Sequence, residues 1–203
     1  SVHIGNFRDI ATSYYVVRAL RKMGKKARLL FSWDEFDRLR KVPSNIAAIT
    51  EGFEKYLGMP YAEIPDPHGV YSSYAEYNEK EFEKSLEELD IHPDYRYQAK
   101  QYTANRYADG IVFALKNRKQ IYDILLKYKT QEENDEDREK YAPVNVYCSA
   151  CHKDMTEVIS VSDDGEQLTY RCKVCGKEET INVREYGHVK LVWKVDWPMR
   201  WGV

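Results

Sequence analysis

Three groups of residues in this chain have the types and spacing to do chemistry. The first is His3-Ile4-Gly5-Asn6, which runs directly into a helical pattern. A helix N-terminus offers free N–H groups and about half a positive charge, a natural seat for phosphate. Gly5 lets a flat base or ribose approach the backbone. His3 and Asn6 can both donate to phosphate oxygens as charge builds in a transition state. The chemistry this implies is that of ATP, although a helix cap that happens to contain His explains a four-residue match equally well. The second group is Trp33-Asp34-Glu35-Phe36-Asp37-Arg38, which places acids where an apolar strand ends. Ligands of doubly wound sheets bind outside that edge, and a carboxylate there suits a substrate ammonium. An acidic N-cap for the next segment accounts for one Asp more easily than for three acids.

The third group is Cys148-x-x-Cys151 and Cys172-x-x-Cys175, with twenty residues between the pairs. That spacing predicts a structural Zn²⁺ held by four thiolates, two from each tight turn. Gly176 relieves the backbone of the second turn. Two strand-like runs, Glu157–Val161 and Gln167–Arg171, flank an Asp164-Gly165 turn, so hairpin and turns together read as a zinc ribbon. Two disulfides or four unrelated thiols are the alternatives, and spacing and compartment weigh against them. A full quartet leaves no open coordination position, and His152 is not needed as a ligand.

The elements that must position these groups follow from periodicity. Ile10 to Met23 reads as an amphipathic helix with Ile10, Tyr14, Val17 and Leu20 inside, ended by Gly24 after Arg21 and Lys22. Ala27 to Trp33 reads as a buried strand, and a helix followed this closely by a strand is the rhythm of a parallel α/β sheet. The pattern then predicts a short helix over Ile46–Leu57, a loop at Ile64–Gly69, and a helix over Ser73–Leu89 with Tyr77, Phe82, Leu86 and Leu89 inside. A strand is expected at Asp94–Gln98 and one long helix from Asn105 to Tyr128. Glu132 to Glu139 reads as a solvated linker.

With 203 residues the chain can bury a sizeable core, and a net charge of −2 argues against a global basic field for nucleic acid. No apolar run is long enough for a membrane span, and four cysteines absorbed by one motif fit a reducing cytoplasm. There is no initiator Met, and no strand precedes the His3 turn, so the expectation is a chain cut from something larger.

Beyond these readings, the chain resembles class I lysyl-tRNA synthetase. The resemblance rests on Val2–Arg8, Trp33–Pro43, Ile64–Pro67 with Ser73–Glu76, and above all Lys190-Leu191-Val192-Trp193-Lys194-Val195-Asp196-Trp197-Pro198-Met199-Arg200-Trp201. Read without the family, that last run is a strand followed by an aromatic-rich turn. The resemblance implies an enzyme that uses ATP with Mg²⁺ to activate lysine as lysyl-adenylate and transfers it to tRNA(Lys) in the cytoplasm. It implies that His3 and Asn6 act on the phosphates, with Gly5 against the adenosine. It implies that Asp34 holds the substrate ammonium. Trp197 or Trp201 is expected as an aromatic wall against the lysine stem, with ordinary core packing as the competing role.

The implied architecture is a partial Rossmann-like catalytic core over residues 1–128, a zinc-binding connective insertion over 129–187, and a return to the core over 188–203. The first strand, the lysine-rich second signature loop and the helical anticodon-binding region of such enzymes have no counterpart here. The chain as given is therefore expected to be a fragment with little activity alone. Two rivals differ in class: an inactive paralogue that binds RNA or an amino acid, and a different nucleotidyl transferase.

Overall fold

In the computed structural model, residues 4–128 and 135–202 are described. The architecture is mixed α/β, and the chain divides into two compact units, Ser1–Ala99 and Lys100–Val203.

The first unit opens with helix α1 (Ile4–Lys22), which carries Arg21 and Lys22 in its last turn. It starts earlier than the expected Ile10, because Phe7 extends the inner stripe and packs with Tyr14 and Val17 on Ile10. Leu20, expected inside, is 37% exposed. Strand β1 (Leu30–Trp33) pairs in parallel with β2 (Asp94–Tyr97), Leu30 opposite Asp94 and Trp33 opposite Tyr97. A parallel pair needs a covered crossover, and α3 (Tyr74–Glu87) supplies it through Phe82 and Leu86, which pack with Leu29 and Ile91.

The expected helix over Ile46–Leu57 is instead α2 (Ser44–Ala47) and a 3₁₀ turn at Phe53–Tyr56. Gly52, at φ 70°, breaks them apart in the left-handed region. Both pieces still bury their apolar residues: Ile46 and Phe53 join Leu39, Ile64 and Tyr74 in a second core cluster. Helix α3 begins at a built cap. The Ser73 hydroxyl accepts from Glu76 N–H at 3.1 Å, while the Glu76 carboxylate accepts from Ser72 N–H at 3.0 Å. Asp66 ties down the preceding loop by accepting from the N–H groups of His68, Val70 and Tyr71. Leu89, expected on the inner stripe, lies beyond the helix and is 55% exposed.

Helix α4 (Gln98–Thr103) spans the boundary between the units. The single long helix expected from Asn105 is two, α5 (Ala108–Lys116) and α6 (Arg118–Leu126). Asn105 itself adopts a positive φ of 55°. Asn117 interrupts the run, its side-chain amide donating to the Phe113 carbonyl at 2.8 Å in competition with the backbone. On the inner face Ile111, Ala114 and Leu115 are buried, whereas Ile124 is exposed.

The acidic run is not simply a linker, because its described part forms α7 (Asp135–Lys140). Acids fill its first turn and bases its last, as the helix dipole favours. Arg138 also grips Asp123 of α6 with two hydrogen bonds of 2.6 and 2.8 Å. Residues 132–134 of the run lie outside the described residues.

Two antiparallel sheets complete the second unit. Strand β3 (Val144–Val146) pairs with β7 (Val189–Leu191). Strands β4 (Thr156–Val161), β5 (Gln167–Cys172) and β6 (Glu178–Asn182) form a meander with an irregularity between Val158 and Ser160. The short helix α8 (Val183–Tyr186) connects β6 to β7. After β7 the chain forms a helix, α9 (Trp193–Trp201), in place of the expected aromatic-rich turn. Pro198 argues against a helix there. The buried Asp196 and Arg200, one turn apart and hydrogen-bonded at 2.9 Å, override it. Among the described residues no helix is long and apolar enough to cross a membrane.

Candidate functional site

At the C-terminal end of β1 the first unit has a half-open cavity of about 280 Å³, lined in part by Asn6, Trp33, Asp34, Glu35 and Glu79. Asn6, in the first turn of α1 one residue after Gly5, and Asp34, directly after β1, thus face the same space. His3 lies outside the described residues.

Aromatic rings make the walls: Phe31, Trp33, Tyr61 and Tyr74. Trp33 is fixed by packing and by a hydrogen bond. Its ring meets Phe31 and Phe82 in edge-type contacts at centroid distances of 4.8 and 5.6 Å. Its indole N–H donates to Glu83 at 3.1 Å. Glu83 also accepts from the Tyr97 hydroxyl at 2.7 Å and from Lys80 at 2.9 Å. Strand alternation sends Phe31 and Trp33 to one face of β1 and so puts both rings in the same wall.

Glu35 and Glu79 are both 7% exposed. Glu35 accepts from the N–H groups of Gln98 and Ala99 at 3.0 and 2.8 Å, so it clamps the chain after β2. Burial nevertheless pushes its pKa up to about 7, the backbone donors offsetting only part and the Asp34 charge adding to the rise. Burial likewise raises Glu79 to about 7, helped by Glu35 and Glu83 and opposed by Lys80. Carboxylates beside aromatic walls suit a ligand with an apolar stem and a cationic end.

Neither Glu79 nor Glu83 stands out by motif, yet the sequence carries a signal for both. With Phe82 and Leu86 as anchors, helical periodicity puts positions 79 and 83 on the inner face of α3, and both carry a charge. A charged residue on a core stripe needs a partner or a ligand.

In the second unit the four cysteines are free and come together, each Sγ within 4.8 Å of the others. Cys148–Cys175 and Cys151–Cys172 are both 3.6 Å apart, far beyond the ~2.05 Å of a disulfide. Four sulfurs each about 2.3 Å from a central Zn²⁺ span edges of about 3.8 Å, so the cluster has the size of a tetrahedral thiolate site. Backbone N–H groups of Ala150 and Val174 point at the Cys148 and Cys172 sulfurs, both at 3.4 Å. Ser149 N–H donates to the buried Tyr170 hydroxyl at 3.0 Å, which itself donates to Glu179 at 2.8 Å. The first cysteine turn is thereby anchored to β5 and β6.

Trp197 and Trp201 sit on α9 of the second unit, 44% and 45% exposed. With Trp193 they form a ladder of rings at 5.9 and 6.4 Å. The opposite face of α9 buries Asp196, which accepts hydrogen bonds from Arg200 and from the Tyr102 hydroxyl.

Comparison with known proteins identifies relatives over the whole chain. The profile of the family "tRNA synthetases class I (K)" matches residues 1–203. The lysine–tRNA ligase of Treponema pallidum is 45% identical over 201 residues, 99% of this chain and 37% of that protein. The lysine–tRNA ligase of Pyrococcus horikoshii is 40% identical over 98% of this chain and 37% of its own length. That of Streptomyces coelicolor is 34% identical over 98% of this chain and 39% of its own. The chain thus spans little more than a third of the relatives it matches.

Proposed function

The chain belongs to the class I (K) tRNA synthetases, and from that premise we propose that it is part of the catalytic region of a lysine–tRNA ligase. The protein that carries it activates lysine with ATP and Mg²⁺ and transfers it to tRNA(Lys) in the cytoplasm. The observation that supports this most is the cavity at the end of β1, where Asn6 and Asp34 face one space walled by aromatic rings. His3 and Asn6 hold the phosphates and stabilise charge as the adenylate forms, and Gly5 leaves room for the adenosine. Asp34 takes the α-ammonium of lysine. Trp197 or Trp201 forms an aromatic wall against the lysine stem.

Residues 1–128 are the first part of a Rossmann-like core, a reading supported by the parallel β1–β2 pair and its helical crossover. Residues 129–187 are a zinc-ribbon insertion and 188–203 return to the core, supported by the pairing of β3 with β7. Cys148, Cys151, Cys172 and Cys175 hold one Zn²⁺ that supplies folding energy and takes no part in the chemistry.

The test is amino-acid-dependent ATP–pyrophosphate exchange by the full-length protein. Exchange that requires lysine is the expected result. Exchange with no amino acid, or with glutamate alone, overturns the proposal.

A further inference from the structure

The carboxylates around the cavity are not alike in what they already hold. Glu35 accepts from two backbone N–H groups. Glu83 accepts from Trp33, Tyr97 and Lys80. Glu79 lines the cavity, is 7% exposed, and makes no hydrogen bond or salt bridge with any described residue. Its carboxylate oxygens are therefore open to the cavity, where a bound cation would supply the partner that the described residues do not.

The surroundings say what that something is. The space beside Glu79 is walled by Phe31, Trp33, Tyr61 and Tyr74, and Glu83 holds the Trp33 ring in place. Such walls favour an alkyl stem and tolerate a cation against their faces. A carboxylate lining a cavity with aromatic walls fits a primary ammonium on an aliphatic chain. We infer that Glu79 binds the side-chain ammonium of the lysine substrate and thereby separates lysine from uncharged chains of the same length. The assignment rests on the lysine–tRNA ligase reading, and it gives the two ends of the amino acid to two different acids, Asp34 and Glu79. Burial holds the empty Glu79 near half-protonated at neutral pH, and an arriving ammonium stabilises its charged form.

The experiment is lysine-dependent ATP–pyrophosphate exchange by the full-length enzyme, comparing the parent with Glu79→Gln and Glu79→Met. Each is assayed with lysine and with 6-hydroxynorleucine, which has a hydroxyl in place of the ammonium. Both variants remove a charge and break no hydrogen bond or ion pair with a described residue, so they are expected to fold, with melting temperatures no lower than the parent. Loss of a charged hydrogen bond predicts a rise in the lysine KM of about 10- to 100-fold. The ATP KM, kcat, and kcat/KM for 6-hydroxynorleucine should stay within about threefold of the parent. An unchanged lysine KM, or equal losses for lysine and 6-hydroxynorleucine, overturns the assignment. A parent enzyme that does not activate lysine overturns the underlying reading instead, so the two failures are distinct.

Discussion

His152 and Gly176 hold the same position in the two cysteine turns. Each follows the second cysteine of its pair, and each donates its N–H to the carbonyl of the first, at 2.8 and 3.0 Å. Each also has a left-handed backbone, φ 58° for His152 and 76° for Gly176. A side chain at position 176 would meet nothing within 4 Å, so the cost of adding one is conformational alone. Gly176→Ala should lower stability by about 1 kcal/mol. His152→Gly should change it by less, because relief of strain offsets the added freedom of the unfolded chain. Thermal unfolding of the two variants checks this, and an unaltered midpoint for Gly176→Ala counts against it.

One zinc per chain is expected on metal analysis of protein purified under reducing conditions. Stripping it with a strong chelator should expose four titratable thiols and loosen the β4–β5–β6 meander, because both cysteine turns border that sheet. Freshly purified protein without metal removes the basis for the zinc ribbon.

Asp196 is 1% exposed and paired with Arg200 and Tyr102. Removing one partner of a buried pair strands the other charge, so Asp196→Ala should destabilise the protein by about 3–5 kcal/mol. Arg184→Ala, which breaks exposed pairs to Asp109 and Glu166, should barely register. Comparable melting shifts for the two variants would contradict this ordering.

Glu35 and Glu79 have pKa values raised to about 7 in the folded chain, above the ordinary carboxylate value. A raised acid favours the protonated folded state, so this stability is fully present below about pH 4.5 and is lost as pH rises through about 7. Glu79→Gln removes its share of the loss and should make the protein more stable than the parent above about pH 7, by about 1–3 kcal/mol. Urea unfolding of parent and variant at about pH 5 and about pH 8 measures the difference. The same pH dependence in both proteins rules it out.

If the full-length protein activates lysine as proposed, with His3 acting on charge that develops in the transition state, His3→Ala should lower kcat far more than it weakens lysine binding. Pre-steady-state exchange kinetics separate the two quantities. Equal losses in both mean that His3 shapes the pocket instead.

The parts of the molecule legible in the sequence are those with one dominant local cause. Cysteine spacing locates the metal-sized cluster, and the Asp164-Gly165 turn locates the β4–β5 hairpin. The helix–strand rhythm anticipates the parallel pairing of β1 with β2. What escapes depends on contacts distant in sequence or on competing local bonds. Asn117 splits a continuous apolar stripe through one side-chain hydrogen bond. Pro198 lies inside a helix because the Asp196–Arg200 pair outweighs its local preference. Glu79 and Glu83 read as ordinary surface acids until Phe82 and Leu86 fix which face of α3 is inside.

The cap on α3 has a kinetic consequence. The bonds of Glu76 to Ser72 and Ser73 and the Asp66 loop join residues no more than five positions apart, and contacts that short close within microseconds. The clamp of Glu35 on Gln98 must instead close 63 residues of chain, which is slow because loop entropy is lost before any contact forms. The cap of the helix that carries Glu79 thus depends on local closure alone, whereas the clamp beside Asp34 depends on closure of a long loop.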